Sequence, residues 1–248
     1  MVYYENISSL TPDWFNVKGL SHERCFVLCD ENTVQKCWPK VEKIFPNAKV
    51  FTMSSGEANK SLDTVNAMYQ WLIDNNAKRS DVIVAVGGGV VCDVAGFAAA
   101  TYKRGLNCWY IPTTLLSMVD AAHGGKTGVN FNGLKNQIGT FSMPKMVLVD
   151  TGFLETLSIQ ELRSGKAEML KHGLIADASH FFEVGHGEEV SSAQISTSVA
   201  LKTEIVSQDF KEEGKRAWLN FGHTVGHALE SFCADRNPRT HGDCVAAG

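Results

Sequence analysis

His223 and His227 stand four residues apart in the run NFGHTVGH, so on a helix they share one face. Two imidazoles at that spacing can meet a single zinc ion. His241, in His241-Gly242-Asp243, is a third candidate ligand. Glu168 lies in AEMLKHG, midway along an apolar helical stretch, where a carboxylate needs a partner and a metal is one. A glutamate and two histidines with one position open would form a catalytic rather than a structural zinc site. The run is not H-E-x-x-H, so a metalloprotease would lack its general base. The competing reading is that these are ordinary surface or capping residues.

A second group could bind a dinucleotide. Gly87-Gly88-Gly89-Val90-Val91-Cys92-Asp93 follows the apolar run VIVAV and opens a helical stretch through Ala100. Glycines there let backbone N–H groups approach a pyrophosphate, and the helix start adds positive potential. The spacing is not G-x-G-x-x-G, so a purely structural turn competes. Ser55-Gly56-Glu57, with Lys60 nearby, follows another strand end and offers a carboxylate for ribose hydroxyls plus a cation. Pro112-Thr113-Thr114 follows a third and offers two hydroxyls. Each alone reads as a cap or turn. Three at successive strand ends point to a ligand.

A third group is cationic. Lys126, Lys171, Lys202 and Arg216 could form an anion pocket, with Asn136, Asn220 and His227 as neutral donors. Most lysines are solvated surface charge. Lys126 differs because Gly124 and Gly125 precede it, as in backbone nests that fold against an anion.

The elements that must hold these groups follow from the apolar pattern. Residues 24–29, 49–53, 82–86, 108–111 and 146–149 read as strands, continuously apolar as strands covered on both faces should be. Ser61 to Asn76 carries Leu62, Val65, Tyr69, Leu72 and Ile73 at helical spacing. The alternation predicts an α/β domain with a mainly parallel sheet over residues 1–157. Ligands of such sheets sit beyond the carboxyl ends of the strands. From 158 to 248 the chain reads as all-helical, with helices at 159–175, 191–207 and 223–232 and polar loops at 185–190 and 234–240. The closing VAAG looks like the start of another helix, so a truncated chain is expected.

The bulk composition narrows the classes. With 248 residues and 44% apolar content the chain can bury a full core. A net charge of −4 and a pI near 6.1 give no sign of a nucleic-acid or anionic-membrane partner. The start MVYYENISSL is unlike a signal peptide, and no apolar run reaches the roughly 20 residues that span a bilayer. Seven scattered cysteines without a C-x-x-C pair fit reduced, buried thiols in a cytoplasmic protein.

Five segments in order, GGGVVCDVAGFAAATYKRG, IPTTLLSMVDAAHGGKTGVN, KNQIGTF, AEMLKHG and LNFGHTVGHALE, together resemble the 3-dehydroquinate synthase family. The likeness runs from Val82 to Gly248 and more loosely back to Asp30. It implies an NAD-binding α/β domain and a helical domain that holds zinc, or alternatively cobalt. The implied reaction converts 3-deoxy-D-arabino-heptulosonate 7-phosphate, a sugar-acid phosphate, to 3-dehydroquinate and phosphate. That step belongs to the shikimate route to chorismate and the aromatic amino acids.

By this resemblance Glu168, His223 and His241 are the metal ligands, and His227 becomes a substrate-contacting, proton-handling residue. Lys126, Asn136, Lys171, Lys202, Arg216 and Asn220 match substrate-holding positions. Arg104 matches an arginine that reaches the substrate of a neighbouring subunit, which implies a homodimer. The implied NAD contacts are Asp30, Ser55, Gly56, Glu57, Lys60, Gly88, Gly89, Val90, Val91, Cys92 and Asp93. Thr113, Thr114, Asp120, Lys126, Lys135, Phe153, Leu154, Glu155 and Thr156 complete them. Cys92 stands where the family usually has glycine. Family members also continue past the segment matching HGDCVAAG. The alternatives are a related sugar-phosphate cyclase such as 2-deoxy-scyllo-inosose synthase, a metal-dependent polyol dehydrogenase, or a non-catalytic NAD-binding fragment.

Overall fold

A computed structural model describes residues 1–20, 24–187, 189–233 and 239–248. They form two compact units, Met1–Thr113 with Gly125–Glu155, and Thr114–Gly124 with Thr156–Gly248.

The first unit is built on a six-stranded parallel sheet. Its strands are β1 (Val2–Tyr4), β2 (Cys25–Asp30), β3 (Lys49–Met53), β4 (Val82–Gly87), β5 (Asn107–Pro112) and, after a hairpin, β8 (Met146–Val149). Their order is β1-β8-β5-β4-β2-β3. Every residue of β4 and β8 is buried, which is why their sequences are continuously apolar. Between strands run helices α1 (Leu62–Asp74), capped by the Ser61 side chain, and α2 (Gly89–Thr101). Helix α2 is apolar nearly all round because Val91 to Ala99 is almost entirely buried. The chain passes outward from β2 to β3, then returns to place β4 on the other side of β2. That reversal opens a crevice at the carboxyl ends of β2 and β4, the usual ligand position in open α/β sheets.

Three strands went unread in the sequence. β1 is only three residues long, too short for a periodic pattern, and is held by pairing with β8. Strands β6 (Lys126–Phe131) and β7 (Leu134–Phe141) form an antiparallel ribbon. Asn132 and Gly133 join them, both at positive φ (49° and 76°), as a tight hairpin turn requires.

The second unit is helical. It comprises α3 (Ile159–Ala176), α4 (Ala178–His186), α5 (Ser192–Gln208), α6 (His223–Cys233) and α7 (His241–Ala247). Ser158, Asp177, Ser191 and Thr240 cap α3, α4, α5 and α7 through their side chains, and Ser191 with Gln194 completes a capping box. Two expectations need correction. Gly185 and His186 extend α4 rather than open a loop, because the Asp177 cap starts a helix there. Val245 to Gly248 closes α7 rather than beginning a new helix. Of the expected loops, residue 188 and residues 234–238 lie outside the described residues. All seven cysteines are free thiols, six of them buried. No helix among the described residues is long and apolar enough to cross a membrane.

Candidate active site

In the helical unit, α3, α6 and α7 bring one carboxylate and three imidazoles together. Glu168 of α3 is completely buried. Its Oε1 lies 3.8 Å from His223 Nε2 and 3.7 Å from His241 Nε2. Neither of its oxygens accepts a hydrogen bond among the described residues, although the Lys171 ammonium forms an ion pair with Oε2. A buried carboxylate so placed is costly unless a cation completes it. His227 joins the cluster, its ring centroid 5.2 Å from that of His223 and 5.7 Å from that of His241. One ligand atom from each of the three histidines falls within 4.8 Å of the others. Glu168, His223, His227 and His241 thus converge on one region, with His227 the exposed member.

Glycine makes this convergence geometrically feasible. Gly242 packs α7 directly on the α3 backbone at Ser164, where a Cβ would have no room, and its N–H donates to Ser164 Oγ at 3.0 Å. His241 is thereby carried to Glu168. Its Nδ1 faces Glu230 Oε2 at 3.6 Å, an outer partner that the sequence reading did not single out. Burial lowers the His241 pKa, but Glu230 and Glu168 outweigh it and hold it above the ordinary value. Burial and Lys171 lower that of His223.

Segment 114–124 contributes Asp120 from a π-helical turn, Ser117–Ala121, a rare shape that often marks functional sites. Lys202 of α5 donates to the Asp120 backbone oxygen and to its Oδ1, each at 2.6 Å. Burial by itself would raise the Asp120 pKa, yet Lys202 and His172 hold it well below the carboxylate range. Burial pushes the Lys202 pKa down against the pull of Asp120. Gly124, at φ +139°, lets Arg216 and Lys202 come close, since a Cβ there would lie 2.7 Å from Arg216 Nη2 and 3.5 Å from Lys202 Cε. Lys171, Lys202 and Arg216 are all buried cations. Asn220 is exposed, its amide on Glu212. Thr114 Oγ1 bonds Ser117 Oγ at 2.9 Å, and Thr156 closes the turn that enters this unit.

In the sheet unit, Asp30, Ser55 to Lys60, Gly88 to Asp93 and Thr113 lie at or just beyond the carboxyl ends of β2, β3, β4 and β5. After β4, a Cβ on Gly87 would lie 2.6 Å from the Val91 side chain, so glycine is required there. Gly88 precedes α2 without any side-chain cap, and Gly88, Gly89 and Val90 are half-exposed. Val91 and Cys92 are buried, so only their backbone can meet a ligand. Burial drives the Cys92 thiol pKa well up. Lys60 pairs with Asp93 and donates to Asn136 Oδ1. Asn130, another residue the sequence reading passed over, donates to Glu57 Oε1 and accepts from the Asn136 N–H, both at 2.9 Å.

Asp30 Oδ1 accepts from the N–H groups of Asn32 and Thr33 at the end of β2. Ser55 accepts from Asn59 through its carbonyl, and Gly56 has φ +96°. Thr113 is buried, and its N–H donates to the Gly87 carbonyl at 3.0 Å. Phe153 is buried beside Leu154 in a 3-10 turn, and Glu155 faces Lys40 at 3.7 Å. Lys126 and Lys135 are exposed on the ribbon, and Arg104 is exposed at φ 62°.

The family models described as 3-dehydroquinate synthase N-terminal and C-terminal match residues 50–164 and 165–248. The chain belongs to the 3-dehydroquinate synthase family. It is 43% identical to the 3-dehydroquinate synthase of Parabacteroides distasonis, across 100% of this chain and 72% of that one. It is 40% identical to that of Clostridium tetani, across 98% of this chain and 67% of that one. Among solved structures it resembles 2-epi-5-epi-valiolone synthase from Streptomyces hygroscopicus subsp. jinggangensis, which has NAD+ and Zn2+ bound. The TM-score is 0.88 at 28% identity, covering 99% of this chain and 71% of that one. It also resembles a 2-deoxy-scyllo-inosose synthase complexed with carbaglucose-6-phosphate, NAD+ and Co2+. There the TM-score is 0.82 at 25% identity, covering 98% and 70%. The chain thus spans about 70% of the length of these relatives.

Proposed function

We propose that this chain converts 3-deoxy-D-arabino-heptulosonate 7-phosphate to 3-dehydroquinate and phosphate, as a phosphate-eliminating carbon–oxygen lyase. The observation that carries the reading is the meeting of Glu168, His223 and His241 around a buried carboxylate that lacks hydrogen-bond donors, with Lys171 beside it. That donor set fits a zinc or cobalt ion with a position left open for substrate. The uncapped start of α2, behind a glycine turn that tolerates no Cβ, fits the pyrophosphate of NAD. When bound, the metal supplies Lewis acidity toward a substrate hydroxyl and NAD supplies reversible hydride exchange.

The protein's own groups have distinct tasks. Lys171, Lys202 and Arg216 bind the substrate's carboxylate and phosphate, where burial strengthens each charge. Lys126, Asn136 and Asn220 orient its hydroxyls. His227, exposed beside the metal ligands, moves the proton that accompanies phosphate loss. Arg104 serves the phosphate bound by a neighbouring subunit, and the working form is a homodimer in the cytoplasm. Residues 1–157 provide the dinucleotide site and 158–248 the metal and substrate site, with the Asp120 segment assisting the latter. The dinucleotide contacts are the strand-end residues from Asp30 to Thr156 described above.

The test combines protein, NAD, a zinc salt and the heptulosonate phosphate, then follows inorganic phosphate and NADH. Phosphate release without NADH accumulation is expected. Accumulating NADH would place the protein with the polyol dehydrogenases instead. Glucose 6-phosphate, which lacks a carboxylate for Arg216, should turn over poorly. If it is the better substrate, the inosose-type cyclase reading replaces this one.

A further inference from the structure

Helix α3 carries a third polar residue beside Glu168 and Lys171. His172 is completely buried. Its Nδ1 lies 2.8 Å from Oγ of Ser198, which is equally buried. Its Nε2 has no hydrogen-bond partner among the described residues and points at Asp120 Oδ1, 3.5 Å away. Leaving a buried ring nitrogen unsatisfied is costly, so its aim needs an explanation.

Two explanations fail. Serine, imidazole and carboxylate in sequence could suggest a hydrolytic triad, but Ser198 is 0% exposed and no substrate can reach it. Asp120, Glu168 and His172 also offer ligand atoms within 4.8 Å of one another, as a second cation site would. Lys202 already sits on Asp120, and Glu168 Oε1 already faces His223 and His241, so neither carboxylate is left over for a second cation site.

Orientation remains. A lysine ammonium has three N–H donors. Two of those on Lys202 go to the backbone oxygen and Oδ1 of Asp120. Where the third points depends on how Asp120 is held. We propose that His172, fixed by Ser198, is a positioning residue that sets the Asp120 carboxylate and, through it, the remaining Lys202 N–H that meets an anionic ligand. The ring's tautomer follows: Ser198 O–H donates to Nδ1, and Nε2–H faces Asp120. Only the identity of the anion rests on the function proposed above.

The test has two arms that do not need turnover. In protein labelled with 15N-histidine, two-bond proton–nitrogen correlation spectra should show His172 as the Nε2–H tautomer, and Asp120→Asn should shift its signals. The Nδ1–H tautomer, or signals indifferent to Asp120→Asn, would overturn the proposal. In the second arm, calorimetry measures binding of inorganic phosphate. His172→Phe, which keeps a planar ring, should weaken it by about tenfold in protein that still folds, with a lowered melting temperature from the stranded Ser198 hydroxyl. His172→Gln restores an N–H near the Nε2 position and should recover most of that loss. Unchanged affinity in His172→Phe, no recovery in His172→Gln, or no phosphate binding by the unsubstituted protein would each overturn it. If His172→Phe does not fold, the tautomer in the unsubstituted protein decides. A protein that passes both arms yet releases no phosphate from the heptulosonate refutes the enzyme reading and leaves this one standing.

Discussion

Lys202 grips Asp120 at two points, bonding its backbone oxygen and its Oδ1 at 2.6 Å each. A side-chain ion pair alone would let the π-helical turn relax. Adding the main-chain oxygen ties the turn itself to α5. Lys202 holds the Asp120 pKa well below its ordinary value against burial, while burial lowers that of Lys202 against the pull of Asp120.

Asp120→Ala should therefore destabilise strongly, because it strands a buried ammonium. A loss of about 3–5 kcal/mol in urea unfolding is expected, the usual cost of removing one partner of a buried pair. Asp120→Ala combined with Lys202→Met should recover most of that stability while phosphate affinity stays lost. A double variant no more stable than Asp120→Ala would contradict the pairing.

The metal cluster can be dissected by zinc stoichiometry. Glu168→Gln, His223→Ala and His241→Ala should each abolish stoichiometric zinc in equilibrium dialysis. His227→Ala should retain it, since the carboxylate and the other two imidazoles supply three ligands without it. Glu230→Gln removes only the partner of His241 Nδ1 and should weaken zinc by roughly 10- to 100-fold. Zinc loss in His227→Ala equal to that in His241→Ala would exchange their roles.

Much of this architecture was legible because buried parallel strands are apolar throughout: β2, β4 and β5 stand out through the continuous runs CFVLC, VIVAV and CWYI. The β6–β7 ribbon escaped notice because its strand β7 is largely exposed and polar, although Asn132-Gly133 marked the turn. Spacing found His223 and His227 but could not choose between them, since both share a helical face. Only the packing of α7 on α3 shows that Glu168 lies near 3.8 Å from both His223 and His241. His172 follows Glu168 at i+4 and was open to the same spacing argument. Spacing alone does not reveal its role, because its partner Ser198 is on a different helix.

Gly242 should tolerate no side chain. Its missing Cβ is what seats α7 on Ser164, and His241 is the neighbouring residue. Gly242→Val should lower the melting temperature, consistent with about 1–3 kcal/mol for overpacking. It should weaken zinc binding in parallel. Full zinc affinity in a destabilised Gly242→Val would show that this contact does not position His241.

Acid should weaken the fold through His123. The ring is buried, with Nε2 2.8 Å from the Met118 carbonyl oxygen. Burial, assisted by Lys202, lowers its pKa to about 4. An unfolded chain binds the proton near pH 6.5, before the folded one does, so the unfolded state gains protons first as pH falls. The stability from a neutral His123 is therefore complete above about pH 6.5 and is lost progressively down to about pH 4, on the order of 3 kcal/mol in all. His123→Gln keeps an N–H for the Met118 carbonyl but cannot titrate. In urea melts between those pH values its stability should fall less steeply than that of the unsubstituted protein. Parallel slopes would assign the acid sensitivity to other groups.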